Sequence, residues 1–104
     1  MPKMFLKDMN YKHIHALRVL GDSMEPNIKS NSIVFVDTND LSEVNNAVYV
    51  INYAGEIYIK RLEFLDNLVL LKSDNIIYNT INADKNEIEV IGKVRNSVSM
   101  ENIQ

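Results

Sequence analysis

The chain has 104 residues, 46% of them hydrophobic and 24% charged, which is enough for one globular domain and too little for two. It contains no cysteine, which excludes a disulfide scaffold, a thiolate zinc site and a cysteine nucleophile, and its two histidines supply metal chemistry poorly. With 11 Lys and Arg against 14 Asp and Glu the formal charge is -3, so the cationic stripe that phosphate binding requires is missing and direct DNA binding is not expected.

Val, Ile and Leu occupy 31 positions, in short runs separated by Asn, Asp, Ser and Gly, the texture of a mostly β domain. In chain order the expected strands are His15 to Leu20, Ile33 to Asp37, Ala47 to Tyr53, Glu56 to Phe64, Leu68 to Lys72 and Ile88 to Arg95, each bounded by turn-formers. Six strands in so short a chain imply a compact partial barrel or packed antiparallel sheets. Single helical turns are expected at Ser23-Met24-Glu25-Pro26 and, capped by Asp40, over Leu41 to Asn45. Residues 1–12 read as an N-terminal arm, about 16–95 as the core and 96–104 as a polar tail. No apolar run reaches the roughly 18 residues of a membrane span, and no signal-peptide pattern opens the chain, so a cytoplasmic location and no membrane partner are expected.

Ala54-Gly55 joins Val48 to Tyr53 with Ile57 to Leu62 as a tight hairpin. Side chains alternate along the second strand, so Lys60 shares a face with Tyr58 and Leu62 while Ile57, Ile59 and Arg61 face the other way. An ammonium group is out of place on a buried face. Lys3, Lys7, Lys12, Lys29 and Lys85 lie among polar residues and read as solvated.

Gly21-Asp22-Ser23-Met24-Glu25-Pro26 follows an apolar strand, and its Gly and Pro put Ser23 on a sharp turn that exposes Oγ and aims successive N–H groups at one point. A serine nucleophile needs a base. His13 and His15 lie just upstream, where no Ser-His-Asp arrangement would place them; they read as surface histidines rather than a metal pair, and no metal or cofactor is expected. Lys60 remains as the base. At the ordinary lysine pKa of about 10.4 only about one side chain in a thousand is neutral near pH 7.4, so apolar surroundings must lower the value. On spacing alone, a turn serine and a snorkelling lysine are the better account of the two residues. Tyr49, Tyr53 and Tyr58 read as sheet-packing residues, since no Lys and Arg interleave them as in a base-stacking platform.

These segments resemble a known family. Gly21-Asp22-Ser23-Met24-Glu25-Pro26, Ile33-Val34-Phe35-Val36-Asp37 and Tyr58-Ile59-Lys60-Arg61-Leu62 are similar to the C-terminal domain of LexA, UmuD and phage repressors, the self-cleaving Ser-Lys peptidases. Their order fits, as does the gap of 37 positions from Ser23 to Lys60. Leu70-Leu71-Lys72-Ser73-Asp74-Asn75 with Tyr78, and Glu89-Val90-Ile91-Gly92-Lys93-Val94, look like that family's later strands, so the resemblance runs from about Ala16 to Val94. It implies Ser23 as nucleophile, Lys60 as general base, backbone N–H groups at Asp22 and Ser23 as the oxyanion hole, and Gly21, Met24 and Pro26 as residues that shape the turn and the cleft. Arg61, on the opposite face, is then structural or interfacial.

The resemblance further implies a homodimer, self-cleavage stimulated by a RecA filament, and DNA contact only through an N-terminal domain, for which the 22 residues before Ser23 are too few. Two departures accompany it. Ser30-Asn31-Ser32 stands where the family often has Gly-Asp, with Asn31 able to take a left-handed turn, and no Ala-Gly or Cys-Gly pair precedes Ser23 as the family's cut site would require. Ala54-Gly55 reads as a turn, and Met1 to Leu6 as the stretch beyond the cut. Two other readings compete: a UmuD-like processed module that binds partners with an idle dyad, and a signal-peptidase-like enzyme, which calls for a membrane anchor.

Overall fold

A computed structural model describes residues 11–99. Of the N-terminal arm expected over residues 1–12, residues 1–10 lie outside the described residues, as do residues 100–104 of the tail expected over 96–104. The chain forms a mostly β domain with seven strands: β1 (Ile14–Arg18), β2 (Ile33–Asp37), β3 (Val48–Tyr53), β4 (Glu56–Leu65), β5 (Leu68–Lys72), β6 (Ile81–Asp84) and β7 (Ile88–Val98). All pairings are antiparallel, in the order β1-β2-β7-β3-β4-β5-β6, so the sheet is open, with β1 and β6 at its edges. Two 3₁₀ turns, Tyr11–His13 and Lys85–Glu87, complete the regular elements. His13 thus sits in a 3₁₀ turn while His15 lies on β1.

The packing follows from alternation along β3. Val50 joins an apolar cluster with Val19, Met24, Ile28, Val34 and Val36, whereas its neighbours Tyr49 and Ile51 join a second with Leu62, Val69, Leu71 and Ala83. The central strand is therefore buried on both faces, which accounts for its unbroken apolar run. Met24 and Ile28 bring the Ser23 turn down onto the first cluster. Tyr49 is fully buried, meets Phe64 edge to face at 5.7 Å, and its hydroxyl donates to the Ser42 carbonyl (2.6 Å) while accepting from the Val44 N–H (2.8 Å).

Those bonds engage the backbone of Ser42 and Val44; residues 41–44 take no regular structure, and the helical turn expected over Leu41 to Asn45 does not form. Asp40 still does cap chemistry: its Oδ1 accepts from the Ser42 N–H (3.2 Å) and hydroxyl (2.6 Å), which hold its carboxyl at a pKa of about 2. Around Ser23 the expected helical turn is a run of hydrogen-bonded turns, closed by Glu25 N–H to Asp22 O (3.1 Å) and Ile28 N–H to Met24 O (2.9 Å). The expected first strand ends two residues sooner, at Arg18, because Val19 turns inward to exchange backbone hydrogen bonds with Ser32 and Asn31. At the other end β7 continues past Arg95, pairing Asn96, Ser97 and Val98 with Phe35 to Ile33 of β2. Asn31 takes a left-handed φ of 74°.

The β3–β4 hairpin turns on Ala54 (φ 53°) and Gly55 (φ 81°), both positive as a two-residue primed turn demands. Gly55 accepts this freely and Ala54 does not. Replacing Ala54 by Asn, which tolerates that region, should therefore raise stability by about 0.5–1 kcal/mol, seen as a Tm higher by a few degrees. Gly92 answers a different need. A Cβ there would lie 2.7 Å from the Asp37 carbonyl oxygen and 2.7 Å from Val36 Cγ1, beside the end of the β2–β7 ladder and next to the register shift between β3 and β7. Gly92→Ala should cost about 1–3 kcal/mol in chemical denaturation.

Candidate active site

Lys60 lies in mid-β4, opposite Tyr49 of β3, with its side chain on the face it shares with Tyr58 and Leu62. It is only 7% exposed. The β4–β5 hairpin mirrors about Asp66-Asn67, pairing Leu65 with Leu68 and Arg61 with Lys72; one further step sets Ser73 opposite Lys60. Lys60 Nζ donates to Ser73 Oγ at 2.7 Å. The rings of Tyr58 and Tyr78 flank the amine, their centroids 5.7 and 5.9 Å from Nζ. At that range each ring face favours an ammonium by no more than about 0.5–1 kcal/mol. Burial outweighs them and holds the Lys60 amine below the ordinary lysine value.

Ser23, half-buried on its turn, lines the same cleft of about 430 Å³ as Lys60, together with Gly21, Asp22, Ser73 and Tyr78. The two residues that the sequence singles out, 37 positions apart, are thus brought to one cavity. Gly21 (φ 97°) starts the bend and donates its N–H to Ser30 Oγ (3.2 Å). Among the described residues, the hydrogen bonds within the turn engage the N–H groups of Gly21, Glu25, Ile28 and Ser30, and not those of Asp22 and Ser23. Met24, 1% exposed, anchors the turn and forms the floor of an adjoining groove of about 280 Å³ whose other walls include Leu17, Leu20, Ile57 and Ile59. Pro26, which follows a cis peptide bond, is on the exposed outer side of the turn; it shapes the turn but walls neither cavity.

The loop after β5 fastens the Ser23 turn to β4. Asn75 donates its backbone N–H to the Ser23 carbonyl and its side-chain amide to the Asp22 carbonyl, both at 3.0 Å. Tyr78 donates its hydroxyl to the Asp22 carboxylate, which pushes the Tyr78 pKa up and keeps that donor protonated into the alkaline range. Asp74 is the hub: Arg61 grips it with Nε (2.9 Å) and a terminal nitrogen (2.7 Å), and Asn27 of the Ser23 turn donates to it at 2.8 Å. Arg61 also donates to the Asn46 carbonyl (2.7 Å), so it serves as a strut. Ser73, Asp74, Asn75 and Tyr78 stand out in the sequence only as part of a similar block. Hairpin register about Asp66-Asn67 is the signal that singles out Ser73.

Among the described residues no three His, Asp or Glu gather into a metal-binding group, and no helix is long and apolar enough to cross a membrane. An open antiparallel sheet with a turn serine and a buried lysine in one cleft is an arrangement suited to acyl transfer. A family model described as Peptidase S24-like matches residues 2–95, and the chain belongs to that family. Over 76 residues it is 30% identical to the 26 kDa repressor protein of Escherichia phage HK022, a match covering 73% of this chain and 32% of the phage protein. Over 75 residues it is 36% identical to the Repressor protein CI of Enterobacteria phage phi80, covering 71% and 32%. The chain spans about a third of the length of these repressors.

The Arg61 hydrogen bonds, and then that from Asn27, hold the Asp74 carboxyl below the ordinary carboxylate value. A carboxyl more acidic folded than unfolded stabilises the fold fully above about pH 4, and that stability is lost as pH falls through the folded value. Asp74→Ala should lower stability at pH 7 by about 1–3 kcal/mol and flatten the loss of stability on acidification, both read from denaturation curves across pH.

Proposed function

We propose that this chain is the regulatory domain of a phage-repressor or LexA-like transcriptional regulator, in which Ser23 and Lys60 form a self-cleaving dyad. The observation that carries this reading is a lysine amine, 7% exposed and held below its ordinary pKa, in the cleft that Ser23 lines. Only a neutral amine accepts a proton, and burial supplies it. Ser23 Oγ attacks the scissile carbonyl carbon as its proton passes to Lys60 Nζ. The N–H groups of Asp22 and Ser23 receive the oxyanion. When the C–N bond breaks, the Lys60 ammonium returns the proton to the leaving amine, and the same amine then activates the water that hydrolyses the Ser23 ester.

Dimerisation and stimulation by a RecA filament belong to this proposal through the family, as does DNA contact by a separate domain. A filament would favour the conformer with the cut segment seated in the cleft, so stimulation is a shift of population without new chemistry. The competing reading, a processed partner-binding module, draws support from Leu20, Ile76 and Ile77, apolar side chains 84%, 95% and 73% exposed on the two segments that border the cleft.

A peptide containing an Ala-Gly bond in the family's sequence context, incubated with the chain and followed by mass spectrometry, distinguishes the two. Cleavage is expected to speed up with rising pH as Lys60 loses its proton, and Ser23→Ala or Lys60→Ala should each reduce it by at least about a thousandfold. Cleavage that persists in either variant would remove the dyad; an uncut peptide with wild-type chain at alkaline pH would favour the partner-binding module.

A further inference from the structure

A lysine side chain has four rotatable bonds, and a neutral amine has one lone pair to aim. Burial alone deprotonates it without choosing that direction. In this fold one N–H direction is taken by Ser73 Oγ at 2.7 Å. Building on the dyad reading, we propose that Ser73 is a positioning residue for the Ser23/Lys60 pair: it anchors Lys60 Nζ so that the lone pair is presented to the cleft wall bearing Ser23.

The anchor is itself held on both sides. The β4–β5 ladder ends at Arg61 and Lys72, one step before Lys60 and Ser73, and the next residue, Asp74, is gripped by Arg61, the residue after Lys60, and by Asn27 of the Ser23 turn. Consecutive residues of β4 thus bond to consecutive residues beyond β5, and the second pair fixes the backbone that carries the first. A hydroxyl also suits the task chemically. It orients an amine in either protonation state, whereas a carboxylate at this place would hold the lysine as ammonium and abolish the base. The other ionisable groups on the cleft wall are Asp22 from the nucleophile turn, Glu56 and Tyr58 from β4, and Tyr78 from the loop after β5; Asp22 is engaged by the Tyr78 hydroxyl.

The test is labelling of Ser23 by a fluorophosphonate, in which an Oγ–P bond forms, fluoride leaves, and the serine proton passes to Lys60. The full 104-residue chain is used, with the adduct located by peptide mapping and its rate measured from neutral to alkaline pH. Ser73→Ala and the near-isosteric Ser73→Cys should label about 10- to 100-fold more slowly at the alkaline plateau with little change in Tm. Ser73→Thr, which restores the hydroxyl, should label close to the wild-type rate, and Ser73→Asp should move the rise in rate to higher pH. Wild-type rates in Ser73→Ala or Ser73→Cys, a Ser73→Thr as slow as Ser73→Ala, or a Ser73→Asp profile superimposed on the wild type's would each overturn the assignment. If instead Lys60→Ala labels Ser23 at the wild-type rate, the dyad reading fails, whatever Ser73 does.

Discussion

The cost of keeping a charged amine out of water organises this domain. A lysine can be buried only if it sheds its proton, finds partners, or both, and Lys60 has apolar neighbours along β4, two tyrosine rings and one hydroxyl. Burial disfavours the ammonium more than the two rings favour it, so the native fold carries at neutral pH a destabilising group that the rest of the core must offset. Natural cores tolerate such a group where chemistry needs it.

What offsets it is the double-sided packing of β3 and the tie between loops centred on Asp74. The first places Met24 and Ile28 beneath the Ser23 turn, so that Ser23 rides on buried side chains rather than on a free loop. The second links β4, the Asn46 turn, the loop after β5 and the Ser23 turn through one carboxylate and one guanidinium. Bidentate Arg–carboxylate geometry makes this junction directional as well as attractive. Pocket and machinery are therefore fastened by the same bonds.

Much of this is legible in the residues. β2 and β5 begin and end where the short apolar runs bounded by turn-formers place them, and Gly55 announces its hairpin. The serine turn and the lysine on a greasy strand stand out because each is a local anomaly. β6 escapes a sequence reading because Ile81 to Asp84 looks like turn chemistry, and its alternation buries only Ala83 fully. The turn expected over Leu41 to Asn45 fails because the Asp40 cap is genuine, while the hydroxyl of Tyr49, on a neighbouring strand, claims the backbone beyond it. Ser73 and Asp74 stay hidden for a related reason: their roles come from register and from partners elsewhere in the chain, and a window of sequence contains neither.

The bonds that assemble the cleft join residues far apart in the chain: Asn27 to Asp74 spans 47 positions, Asn75 to Asp22 spans 53 and Tyr78 to Asp22 spans 56. Contacts of such long range form only once the intervening strands are paired. A nascent polypeptide emerging from the ribosome has Ser23 long before the residues that tie its turn to the lysine strand. The cleft is thereby a property of the finished fold and does not exist while most of the polypeptide is still being made.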